Sequence, residues 1–152
     1  MLIRLLIIAD DFTGALDTGV QFASQGLSTR VITDTAASLK AFADSCEVLV
    51  VDAETRHIAA EKAYDVVYSV AAQAVELGIP HIYKKTDSAL RGNIGAELSA
   101  LLAASGKPRL PFLPAFPQMN RVTRDGVHYI AGVPVSESVF GKDPFDPVVH
   151  SR

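Results

Sequence analysis

The sequence predicts a doubly wound α/β domain, flavodoxin-like or Rossmann-like, with a mostly parallel sheet and a C-terminal hairpin extension. Three observations predict it. Short runs rich in Leu, Ile and Val recur along the chain, helical patterns separate them, and almost every apolar run ends in charged or hydroxyl residues. Strands alternating with helices imply right-handed crossovers and helices on both faces of the sheet. With 152 residues, 49% of them hydrophobic, the chain suits a single domain, residues 1–152, with a sizeable core.

Leu2 to Ala9, apolar but for Arg4, reads as a first strand covered on both faces. Ser28 to Thr33 and Glu47 to Val51 follow as the second and third. A fourth, Ile79 to Lys84, comes after the helix terminator Leu77-Gly78, and a fifth is expected over Arg109 to Pro114, where prolines imply an edge position or a bend. Between them helices are expected over Gly14 to Ser24, briefly near Ala37 to Ala43, from Ile58 to Glu76, and over Ile94 to Ala104. After Pro114, "PAFPQMNRVTRDG" reads as a long loop, "VHYIAGVPV" as a hairpin around Ala131-Gly132, and "FGKDPFDPVVHSR" as irregular chain. Because this stretch ends without a capping element, the chain is expected to be a piece of a longer protein.

Composition excludes several classes. Net charge is −3 and no window holds a basic run, so nucleic acid is not an expected partner. The single cysteine, Cys46, sits in an apolar run and reads as a small buried thiol, which rules out a disulfide framework or cysteine metal cluster. "MLIRLLIIA" is too short to span a bilayer and lacks a cleavage site, so no membrane role is expected and the protein reads as cytoplasmic.

Ligands in open parallel sheets bind at the carboxyl ends of the strands, where this chain places its charge. The first strand delivers Asp10, Asp11 and Thr13; one aspartate suffices to cap the next helix, so the second implies hydroxyl binding, a metal or general-base work. After the third strand, Asp52 either accepts from hydroxyls or orients Arg56, whose planar fork suits a carboxylate; a purely structural Asp–Arg pair fits equally well. His57 reads as a surface residue. "KKTDSALRGNIGAE" then supplies Lys84, Lys85, Asp87, Ser88 and Arg91, with Gly92-Asn93 leading into a helix for which Asn93 is the expected cap. Adjacent lysines on a strand alternate in direction, so one of Lys84 and Lys85 faces the site and the other is expected in solvent. Arg121 and Arg124 come from the last loop. No dinucleotide fingerprint, P-loop, H-E-x-x-H or G-x-S-x-G is present, and no metal-ligand set is expected.

"ADDFTGALDTG" (9–19), "VDAETR" (51–56), "KKTDSALRGNIGAEL" (84–98), "PAFP" (114–117), "DGVHYIAGVPVSES" (125–138) and "KDPFDPV" (142–148), taken in order, resemble the four-carbon acid sugar kinases. That family was formerly one of unknown function, and some members are labelled type III effector Hrp-dependent outer proteins. Two departures stand out: Ala89 replaces a usual Thr, and "QMNRVTRDG" replaces a Gly-Arg-Thr run, with Arg121 matching its arginine. The resemblance implies ATP-dependent phosphorylation of the terminal hydroxyl of a threonate, erythronate or 3-oxo-tetronate. It implies that this chain is the N-terminal, sugar-acid-binding domain, inactive alone, with ATP and Mg held mainly by a C-terminal kinase domain of the same protein; a homodimer is compatible with it. On that basis Arg91, Lys85 and Arg56 are expected on the substrate carboxylate. Asp10, Asp11, Asp52, Asp87 and Ser88 are expected on its hydroxyls, with Asp10 or Asp11 as base and Thr13, Gly92, Asn93 and Arg121 completing the site. The rival readings are a stand-alone sugar-acid or anion-binding module and a response-regulator receiver. The receiver requires a lysine after the fifth strand, whereas Lys107 precedes it.

Overall fold

Two strands made almost entirely of aliphatic residues, β1 (Leu5–Ala9) and β3 (Val48–Asp52), lie side by side at the centre of the fold. The computed structural model describes residues 2–151; the ends of the expected domain, Met1 and Arg152, lie outside the described residues. β2 (Thr29–Ile32) joins the far side of β3, and β4 (His81–Lys85) the far side of β1, giving a parallel sheet in the order β2-β3-β1-β4.

Side-chain alternation along β1 and β3 divides the core between the two faces. Ile7, Ala9, Val48 and Val50 pack against Ala15 and Phe22 of α1 (Phe12–Ala23). On the opposite face Leu6, Ile8, Leu49 and Val51 meet α2 (Ala60–Glu76) and α3 (Ile94–Ser105) through Val67, Val70, Ala71, Ala100 and Leu101. Each fully buried Leu, Ile or Val contributes about 1.5–3 kcal/mol relative to exposure. This explains why the two central strands read as unbroken apolar runs. Cys46 is buried at the edge of this core, as expected.

The expected fifth strand does not form. Arg109 to Pro114 runs as irregular chain beside β4, because Pro108, Pro111 and Pro114 lack the N–H groups a sheet ladder needs, and Leu113 is 87% exposed. The segment read as a loop contains a strand instead. β5 (Arg121–Arg124) pairs antiparallel with β6 (Val127–Ile130) across Asp125-Gly126, and β6 turns at Ala131-Gly132 into β7 (Val133–Pro134). Both residues of each turn have positive φ, the geometry two-residue hairpins favour. The anticipated hairpin is therefore one half of a three-stranded sheet. The short helix near Ala37 to Ala43 is a 3-10 turn, Leu39–Phe42, whose Leu39 plugs the core. No described helix is long and apolar enough to cross a membrane.

Candidate functional site

β1, β3 and β4 all end at the same edge of the sheet, and the loops leaving them form one wall of a cleft of about 1040 Å³. Most of the expected site residues line it: Asp11, Thr13, Arg56, Lys85, Asp87, Ser88, Arg91 and Arg121. Asp10, Asp52, Gly92 and Asn93 do not, and sit behind or beside that lining.

At the end of β1 the two aspartates separate. Asp11 caps α1, its Oδ1 accepting from Gly14 N at 2.9 Å. Asp10 turns inward, 2% exposed, and accepts from Arg56 Nε at 2.8 Å, while Arg56 Nη1 lies 2.8 Å from Asp11 Oδ2. Arg56 thus spans both carboxylates of the first loop and is not held by Asp52. Burial opposes its charge, but the bond to Asp10 and the charges of Asp10, Asp11 and Asp87 raise its pKa above the usual arginine value. Gly92, at φ +88, lets the loop after β4 cross Arg56: a Cβ there would lie 3.0 Å from Arg56 Cγ and 3.3 Å from its Cα. Asn93 occupies the N-cap position of α3, as expected, but its side chain makes no capping bond. Its amide donates to Thr55 O (2.8 Å) and Ile58 O (2.7 Å), tying the loop after β3 to the start of α3.

Asp52, 1% exposed, accepts a 3.3 Å bond from Glu54 N. Burial, and next the charge of Glu54, push its carboxyl from 3.8 up to about 6. A carboxyl that holds its proton more tightly in the fold favours the fold at low pH. That advantage is complete below about 3.8 and lost as pH rises through about 6. Ionising it costs on the order of 2–3 kcal/mol. Asp52→Asn should therefore become more stable relative to the native chain by about that amount between pH 4 and pH 6.5 in urea unfolding; a pH-independent difference would reject the assignment.

The loop after β4 corrects one expectation and sharpens others. Lys84 is not in solvent; it is buried against Glu97 of α3, with Nζ 2.8 Å from Oε2. Lys85 faces the cleft, where its ammonium donates to Thr86 O at 2.9 Å. Arg91 Nε donates to Asp87 Oδ2 at 2.6 Å and its Nη1 to Asp143 Oδ2 at 3.3 Å. Arg121 Nη1 donates to Ser88 Oγ at 2.7 Å and lies 3.8 Å from Asp87 Oδ1. The Phe140 ring has both guanidinium groups 5.1 Å from its centroid. Burial alone would raise the Asp87 pKa, but the bond and charge of Arg91 and the charge of Arg56 hold it below the usual range. Phe140 and Asp143 were missed as site residues, and so was His128, whose ring reaches the backbone at Ser88. His128 and Asp143 lie within stretches that carry the family resemblance and Phe140 within none, but nothing local assigns any of them to the cleft, since each reaches it across elements distant in the chain.

One difference among the cations matters chemically. Arg56, Arg91 and Arg121 each pair with a carboxylate of the protein, whereas Lys85 has no carboxylate within 4 Å among the described residues. The cleft thus offers one uncommitted ammonium beside the Thr13 and Ser88 hydroxyls and the partly exposed Asp11. The described residues contain no group of three or more His, Cys, Asp or Glu side chains able to hold a metal ion.

A family model described as "Sugar-binding N-terminal domain" matches residues 5–152. The chain belongs to this family. The sugar-binding domain is 40% identical over 150 residues to a D-threonate kinase of Salmonella typhimurium, covering 98% of this chain and 35% of that protein. It is 34% identical over 147 residues to a D-erythronate kinase of Heliobacterium modesticaldum, covering 95% and 33% respectively. It therefore spans about a third of the length of these curated relatives. Among solved structures, a Bordetella bronchiseptica protein, described as a domain of unknown function with bound citrate in a domain-swapped dimer, superposes with a TM-score of 0.92 at 36% identity. That match covers 98% of this chain and 39% of the other.

Proposed function

We propose that this sugar-binding domain holds the acceptor of an ATP-dependent kinase, presenting the terminal hydroxyl of a four-carbon sugar acid for phosphorylation. The observation that carries the reading is the uncommitted Lys85 ammonium in a cleft whose other cations are already neutralised. A single carboxylate fits one free cation, and the polyhydroxy remainder of the ligand fits Thr13, Ser88 and Asp11. Support comes from relatives named as threonate and erythronate kinases and from one of the same fold crystallised with citrate, itself a hydroxy acid.

Phosphoryl transfer depends on positioning and charge neutralisation more than on covalent chemistry. Lys85 binds the substrate carboxylate, and Arg91 and Arg121 hold Asp87 and Ser88 in place. Asp11, facing the cleft and oriented by Arg56 and Gly14 N, accepts the hydroxyl proton. Asp10 is its buried anchor rather than a second base. Magnesium nucleotide does not fit these residues alone, because the donor set contains neither a metal cluster nor a glycine-rich phosphate loop. We assign ATP and Mg to a C-terminal domain of the same cytoplasmic polypeptide, which leaves this chain able to bind the acid but not to turn over ATP.

Calorimetric titration of the chain with D-threonate and D-erythronate tests the assignment. Lys85→Ala should weaken binding at least about tenfold, the lower end for losing a hydrogen bond to a charged group. An unchanged affinity would remove Lys85 from the carboxylate site, and no binding of either acid by the native chain would overturn the reading as a whole.

A further inference from the structure

We infer that His128 is a positioning residue for the acceptor site, fixing the backbone at Ser88 from beneath and thereby the aim of Asp87, Ser88 and Arg91. This role rests on the functional reading above. His128 lies on β6, outside the cleft lining, and is 1% exposed. Its Nε2 is 2.8 Å from Ser88 O and its Nδ1 2.9 Å from Thr123 Oγ1. A carbonyl oxygen only accepts, so Nε2 must carry a proton. With Nε2 as the protonated nitrogen, Nδ1 accepts from the Thr123 hydroxyl, and that bond in turn fixes the plane of the ring.

The loop needs such support. Leu90 has φ +65, a left-handed conformation that a leucine adopts at a cost, and Gly92 follows at φ +88. Between Ser88 and Leu90, Ala89 is completely buried, so the loop is pressed onto the protein rather than free to relax. The hairpin grips this segment at two points next to each other. His128 holds the Ser88 carbonyl, and Arg121 of β5 holds the Ser88 hydroxyl at 2.7 Å. Asp87 and Arg91 flank the gripped segment and bond each other across it, Arg91 N and Nε both reaching Asp87 Oδ2. A shift of the Ser88 carbonyl therefore moves the hydroxyl and the carboxylate that the ligand meets, although His128 itself touches no ligand.

The test separates positioning from stability. His128→Gln places an amide N–H where Nε2 stands, while His128→Asn is too short to reach Ser88 O and His128→Leu offers no donor. D-threonate affinity, measured by calorimetry at a temperature where circular dichroism shows each variant folded, should stay within about threefold of native for Gln and fall at least about tenfold for Asn and Leu. A purely structural histidine would lower the melting temperature of all three yet leave the affinity of folded protein alike, and equal affinities would overturn the proposal. Should the shortened variants not fold, long-range proton–nitrogen correlation spectra of the native imidazole provide the readout. A ring bearing its proton on Nδ1 alone would overturn the proposal equally. If the native chain binds no sugar acid while its ring is protonated at Nε2, the functional reading fails and the role falls with it, leaving only the hydrogen bond.

Discussion

Glu97→Ala should destabilise the domain by about 3–5 kcal/mol, one of the largest losses expected of any single substitution in it. Lys84 and Glu97 are each 1% exposed at their side chains, and the 2.8 Å contact between them joins β4 to α3. Among the described residues neither Glu97 oxygen has a well-directed hydrogen-bond partner, so the carboxylate depends on the charge of this one cation, 2.8 Å from Oε2. Removing it strands an ammonium group where water cannot reach it, keeping only the bond from Lys84 Nζ to Lys85 O. By contrast, Lys84→Met combined with Glu97→Leu removes both charges and fills similar volume. It should recover most of the loss, since a well-packed apolar pair matches or exceeds a buried ion pair. Urea unfolding of the two single variants and the double variant decides the matter. A double variant as unstable as the sum of the singles would mean that Lys84 and Glu97 are not coupled, and would overturn the prediction.

The same pair shows why the sequence carried the fold further than the site. β1 and β3 announce themselves because both faces are covered, so their apolar character is local and unbroken. The charged loops were legible for a related reason: strand ends at the carboxyl edge are where a parallel sheet leaves polar groups free. Pairing among those loops was not legible, because it follows from which strand ends up beside which. β1 lies between β3 and β4, so the loop after β3 reaches back under the loop after β1, and Arg56 meets Asp10 and Asp11. Nothing within "VDAETR" distinguishes that outcome from an Asp52–Arg56 pair. Alternation alone put one of Lys84 and Lys85 in solvent, which gives a direction but not what lies there, and opposite Lys84 α3 supplies Glu97. At Arg109 to Pro114 the apolar pattern suggested a strand and the prolines prevailed, while the Asp125-Gly126 turn signalled a hairpin that the proline-bearing stretch before it obscured.

Arg56→Ala should cost a similar 3–5 kcal/mol and, unlike the Glu97 change, should also abolish measurable sugar-acid binding. The guanidinium is 9% exposed and makes two 2.8 Å contacts, through Nε to the buried Asp10 and through Nη1 to the cleft-facing Asp11. Its loss leaves the buried Asp10 carboxyl without its cation, Oδ1 having no hydrogen-bond partner among the described residues, and opens the space over which Gly92 closes. Arg56→Lys should restore part of the stability and little of the binding. An ammonium satisfies one carboxylate, whereas the planar fork orients two at once, and the proposed role of Asp11 as base requires its direction to be held. A cycle of Arg56→Met, Asp10→Asn and the pair measures the coupling: the pair should lose less than Arg56→Met alone, because no buried charge is then stranded. Binding separates the two consequences. The pair should remain weak towards D-threonate even where it is stable, since Asp11 keeps only the Gly14 N bond of its two orienting contacts; native affinity in the pair would show that Asp11 needs no support from Arg56.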